Sequence, residues 1–174
     1  MAMFLRHLVA IAILPLTVTV IVPWWIARQY GVHPSPGTSA GPLAVQGIGV
    51  VVLAVGLLLA ISSLRRLAVE GDGTLAPWDP PRNLVVRGPY RFVRNPMISG
   101  VLFVLAGEAM LLRSTAHAVW AVVFLGINLV YIPLIEPLLR HRFGDPYREY
   151  CGHVPRVFPR LRPWPPDVAE GDSR

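Results

Sequence analysis

A chain of 174 residues that is 53% apolar or aromatic and only 15% charged, with a mean hydropathy of +0.51, is too apolar for an ordinary soluble domain. Its formal net charge of +6 rests on arginine alone, since all 16 basic residues are Arg, and no folded basic module accompanies them, which argues against a nucleic-acid partner. Cys151 is the only cysteine, so an intrachain disulfide and a Cys-rich metal site are excluded.

A helix that crosses a bilayer needs about 20 mostly apolar residues to span about 30 Å of hydrocarbon. Four segments meet that description: residues 8–25, 43–63, 97–112 and 115–135. The first contains Pro15 and Pro23 and ends on Trp24, Trp25 and Tyr30, an aromatic belt. Its flank, Ile26-Ala27-Arg28-Gln29, lacks the small-x-small pattern of a cleaved signal peptide. The third carries Glu108; an ionisable residue within a span is expensive, and a catalytic and an interfacial structural role are both open to it. The fourth carries Asn128, suited to a bond between helices, and Tyr131, suited to a substrate opening.

Arginine placement orients these spans. Arg6, six arginines between the second and third spans, and seven after the fourth fall on one side, against Arg28 and Arg113 on the other. By the positive-inside rule both termini and the middle loop are cytoplasmic, in a multi-pass protein of the cell's inner membrane. That loop, residues 65–95, runs through Gly71-Asp72-Gly73, Pro77, Pro80, Pro81, Gly88 and Pro89, which break regular structure. Irregular backbone of this kind beside a small bundle is where ligand-binding atoms belong. After Pro137, the apolar positions Leu139, Phe143, Tyr147, Tyr150 and Val154 recur every three or four residues. Gly144 and Pro146 interrupt them, which predicts a broken interfacial helix. Residues 1–162 form one domain, and residues 163–174, Pro-rich and then acidic, form a disordered tail. The expected fold is therefore all-α: four transmembrane helices, a cytoplasmic cofactor-binding loop and an interfacial C-terminal helix.

Two stretches concentrate polar, Gly and Pro residues at the bilayer surface: residues 87–100, entering the third span, and residues 136–150, leaving the fourth. Only Arg113 and Ser114 separate those spans, so they form a tight hairpin whose cytoplasmic ends are neighbours. The two stretches are expected to share one site. Arg87, Arg91 and Arg94 also suit a simpler role as headgroup anchors. His141 and His153 lack a second ligand at chelating spacing, and no metal is expected.

Within residues 65–161, the set Gly88-Pro89-Tyr90, Arg94-Asn95-Pro96, Gly100, Glu136, Phe143-Gly144, Tyr147, Tyr150 and Val154-Pro155-Arg156 resembles the isoprenylcysteine carboxyl methyltransferases and related phospholipid methyltransferases of membranes. The resemblance implies an enzyme that transfers a methyl group from S-adenosylmethionine to a lipophilic acceptor. It implies Arg94 and Glu136 as catalytic residues. It implies a cofactor site of Asn83, Leu84, Val85, Tyr90, Asn95, Pro96, Met97, Ile98, Gly100 and Glu136, with Tyr131 toward the substrate. A carboxylate and an aromatic face attract the cofactor's cationic groups, and Arg grips its carboxylate. The chain departs from the family pattern in carrying Ile98 for a usual tyrosine and Ile135 for the first of two adjacent glutamates. If the acceptor is an amine, Glu136 or His141 is the candidate base; a carboxylate acceptor needs none. Two further readings stay open: a non-catalytic four-span protein that binds a lipid or partner, and a membrane reductase with a related C-terminal hairpin.

Overall fold

The computed structural model describes residues 12–71 and 83–165. The described residues are helical, with no strand. A π-helical stretch, Ala12–Ile21, leads into α1, Val22–Gln29; α2 is Ala40–Glu70, α3 is Pro96–Leu112 and α4 is Thr115–His153, with a 3-10 turn at Gly88–Arg91. Residues 8–11 of the first expected span, residues 72–82 of the middle loop and residues 166–174 of the expected tail lie outside the described residues.

Two of the four expected spans are long and apolar enough to cross a membrane by length and composition, α2 with 31 residues and α4 with 39. Helix α3 is apolar but has only 17 residues, and the first segment divides between the π-helical stretch and the eight residues of α1. Proline explains part of that division. Pro15 and Pro23 bring no backbone donor, and the Pro15 carbonyl accepts a bond from Thr19 Oγ1 at 2.7 Å.

The α3–α4 turn is as short as the sequence predicts. Arg113 sits in the left-handed region at φ 48°, Ser114 N–H donates to Ala109 at 3.0 Å, and Arg113 N–H to Met110 at 3.3 Å. This bond pair is a Schellman close with arginine where glycine is usual. Helix α4 continues through Pro133 and Pro137 and breaks at Gly144, whose φ of 63° and ψ of −142° are not helical. The expected interruption after Pro137 therefore falls at the glycine. Asp145 and Pro146 follow, a residue order suited to restarting a helix.

The chain separates into two compact units, one of residues up to Leu58 with Gly100–Asn128, the other of Leu59–Ser99 with residues from Leu129 onward. In the first unit α2 and α3 approach at backbone distance. A Cβ added at Gly56 would stand 2.7 Å from the Val104 nitrogen, and one at Gly107 2.7 Å from the Leu53 nitrogen. Small residues at such a contact let main chains pack directly, the usual means by which apolar helices associate in lipid. Val101, Leu105 and Ala121 form its buried core with Val18, Trp120 and Phe124 packed against them. Gln46 fastens the helix ends, donating to Ser35 and Leu111 carbonyls at 2.8 and 3.1 Å. Asn128 bonds back to Phe124 of its own helix at 2.8 Å rather than across to another.

The second unit has a different core. Val86, Tyr147, Tyr150, Val154 and Trp164 are buried together, with Leu84, Leu139, Phe143 and Cys151 against them. Ring contacts run from Phe143 through Tyr147 and Tyr150 to Trp164, which stacks on His153 at 5.3 Å. Trp164 belongs to the stretch expected to be a disordered tail. The Pro-rich composition that suggested disorder overlooked one aromatic residue with a place in the core.

Candidate functional site

The second unit brings together residues 136–150 and all of the other polar stretch, residues 87–100, except Gly100. Its local organisation begins with the backbone. Gly88 takes a positive φ of 58°, which opens the 3-10 turn, and Pro89 follows it. Residues 91–94 are then bonded to residues 155–164, an extended strap that folds back after α4. Arg94 N–H donates to Pro155 at 2.8 Å, Arg160 N–H to Phe92 at 3.0 Å and Trp164 N–H to Arg91 at 3.0 Å. Side chains reinforce the pairing. Asn95 Nδ2 donates to the Arg156 carbonyl at 2.9 Å, Arg91 Nε to the Trp164 carbonyl at 2.6 Å, and Ser99 Oγ to the Val157 carbonyl. Pro96, fully buried, occupies the first position of α3, where a missing donor costs nothing.

At the centre lies Glu136, with its side chain only 6% exposed. Arg156 grips it bidentately, Nε to Oε1 and Nη2 to Oε2, both at 2.8 Å. Arg94 Nη1 stands 2.9 Å from Oε1, and Arg140 Nη2 stands 3.9 Å from Oε2. The hydrogen bond from Arg156 holds the Glu136 carboxyl below the usual carboxylate range, with the charges of Arg94, Arg156 and Arg140 adding to it against the cost of burial. Such a carboxylate is a poor proton acceptor. Glu136, expected as a catalytic and cofactor-binding residue, is engaged by the guanidinium groups of Arg156 and Arg94, with that of Arg140 further off.

Three arginines around one carboxylate leave an excess of two positive charges. Arg94 is the innermost, with its side chain 8% exposed. Its Nη1 also donates to Cys151 Sγ at 2.7 Å, while its Nε is buried with no hydrogen-bond partner. An unmet buried guanidinium N–H costs about 1–3 kcal/mol, and an anionic oxygen is the acceptor it matches best. The arrangement fits the carboxylate of an amino-acid-like ligand.

The remaining expected residues are placed as follows. Tyr90 bridges α2 and α4: its hydroxyl accepts from Ser63 at 3.1 Å and its carbonyl accepts from the Tyr150 hydroxyl at 2.6 Å. Burial raises its phenol above the ordinary range, so it stays neutral and acts by hydrogen bonding. Asn83 closes the middle loop onto the end of α2, its N–H donating to Gly71 and its Nδ2 to Glu70. Leu84 packs on the aromatic core and Val85 is buried, while Met97 and Ile98 are half-buried at the start of α3. Tyr131 is exposed on α4. Gly100 falls in the first unit, where its carbonyl faces Gly56 of α2. The strap partners Arg156 and Trp164 were absent from the expected site. Arg156 had a signal, since Val154-Pro155-Arg156 is one of the matched motifs; Trp164 had none beyond being aromatic.

The described residues form helices and no strand, two of the helices are long and apolar enough to cross a membrane, and the second unit holds a buried Glu136–Arg94 pair, which together define a helical protein of membrane type with a polar site. The phospholipid methyltransferase family model matches residues 45–145, more than half of the chain, and the protein belongs to that family of membrane methyltransferases. No curated protein matches the chain. The family match includes Arg94 and Glu136 and stops short of Arg156 and the strap.

Proposed function

We propose that the protein transfers a methyl group from S-adenosylmethionine to a lipophilic acceptor at the cytoplasmic face of the membrane, where the acceptor is a lipid, a small amphiphile or an isoprenylcysteine-like carboxylate. Four spans with both termini cytoplasmic complete the reading, supported by the one-sided distribution of arginine. One observation carries it above the others: the buried, unpartnered Nε of Arg94, beside an excess of positive charge, in a chain of methyltransferase ancestry.

When bound, S-adenosylmethionine supplies an electrophilic methyl group on a sulfonium sulfur. Arg94, whose Nε is an unmet donor, would hold the cofactor's carboxylate. Glu136 and Arg156 act on Arg94, fixing its guanidinium so that Nε keeps its direction. Asn95 and Ser99 tie the strap to the start of α3, and Tyr90, Pro96, Met97 and Ile98 shape the wall. The strap keeps water from the reacting atoms, and alignment supplies most of the rate gain available to an in-line displacement. Tyr131, which is exposed on α4, would meet the acceptor arriving from the bilayer.

The test is to incubate membranes containing the protein with methyl-labelled S-adenosylmethionine and extract the lipids. Label in a lipid fraction that disappears with Arg94→Ala supports the reading. A folded protein that leaves every fraction unlabelled counts against it.

A further inference from the structure

The first unit contains a groove of about 310 Å³ whose walls include Val20, Pro23, Trp24, Glu108, Leu112 and His117. Its volume is at the small end of ligand sites, and its lining is mostly apolar. Glu108 lies eight residues beyond Gly100 on α3, about 12 Å along the axis. Its Oε2 is buried and has no hydrogen-bond partner.

His117 and Thr19, two polar residues of the lining, are committed elsewhere. His117 is buried, with Nε2 on the Pro23 carbonyl at 3.2 Å and Nδ1 on Ser114 Oγ at 2.9 Å. A carbonyl can only accept, so in the neutral tautomer the ring proton sits on Nε2, and none remains for Glu108. The Thr19 hydroxyl, also in the lining, donates to Pro15. Arg28 lies with its guanidinium 4.9 Å from the Trp24 ring centroid, and no ion pair to Glu108 is formed among the described residues. An acidic oxygen in an apolar groove, without a hydrogen-bond partner among the described residues, is matched by a donor that brings its own charge.

We propose that this groove binds a protonated amine carried on a short apolar body. The ammonium sits on Glu108 Oε2, and the body lies along Val20, Pro23 and Leu112. One open oxygen suits a compact ammonium better than a guanidinium, whose fork needs two acceptors. The site is separate from the arginine cluster and does not depend on methyl transfer.

The full chain in nonionic detergent is titrated calorimetrically with hexylamine and with hexanol, against empty micelles. Wild type binds hexylamine saturably, Glu108→Gln binds it about tenfold more weakly or worse, and hexanol binding is weak and the same in both. Ala27→Leu, which fills the groove while leaving Glu108 in place, weakens both ligands. Equal hexylamine binding by wild type and folded Glu108→Gln, or no saturable binding to wild type, overturns the proposal. Repeating the titration in nanodiscs separates the two sources of amine. Competition by phosphatidylethanolamine over phosphatidylcholine assigns the groove to an amino headgroup, and its absence assigns it to a free amine.

Discussion

The two units of this chain solve the problem of cohesion by opposite means. In the first, α2 and α3 touch at glycine, and the buried core is Val101, Leu105 and Ala121. In the second, a carboxylate held by three arginines, a run of aromatic rings and a backbone-paired strap take that role. Steric fit governs the first, so added volume is what damages it. Charge and hydrogen bonding govern the second, so removing a single polar partner does more harm there than adding a methyl group.

Substitution of Glu136 should break the comparison most severely. Glu136→Leu leaves Arg94 and Arg156 without their counter-charge, and removing one partner of a buried ion pair costs about 3–5 kcal/mol. Thermal unfolding in detergent measures the loss, and maleimide labelling of Cys151, which accepts a bond from Arg94, should accelerate in parallel. Acid acts on the same group. The folded-state carboxyl of Glu136 titrates below its unfolded value. Its stabilisation is therefore full above the ordinary carboxylate range and is lost as pH falls through the folded value. Wild type should lose more stability than Glu136→Gln between neutral pH and pH of about 3.

In the first unit the large effect comes from volume. Gly107→Leu drives a side chain into the Leu53 backbone and should cost about 1–3 kcal/mol, where Gly107→Ala costs less. Unfolding of both variants checks the order, and no loss from Gly107→Leu would mean that α2 and α3 do not rely on close packing. The smallest effect is a gain. Arg113→Gly relieves a left-handed arginine and should stabilise the α3–α4 turn by about 1 kcal/mol, less what the 3.4 Å contact to Ser35 contributed.

The sequence made α2, α3 and α4 legible because long apolar runs and short polar breaks are one-dimensional signals, whereas the first expected span divides between a π-helical stretch and α1. The hairpin at Arg113 and the break at Gly144 followed from chain length and from glycine. The meeting of residues 87–99 with Glu136 was also readable, from the shortness of that hairpin. What stayed hidden was the strap. Residues 155–164 pair through backbone bonds in an irregular segment, and no periodicity records such a partnership. For the same reason Glu136 was read as an open carboxylate. Neither Arg156, twenty residues on, nor Arg94, more than forty residues back, announces its reach in the sequence.

The central claim is that Arg94 Nε is the cofactor's anchor, and calorimetric titration of S-adenosylhomocysteine into the purified protein tests it most directly. Wild type should bind. Arg94→Lys, which keeps the charge but lacks Nε, should bind about tenfold to a hundredfold more weakly, the loss of one charge-assisted bond. Arg28→Ala, on α1, should bind as wild type does. Equal affinity in all three folded proteins would contradict the assignment of the site, and no binding to wild type would contradict the methyl-transfer reading itself.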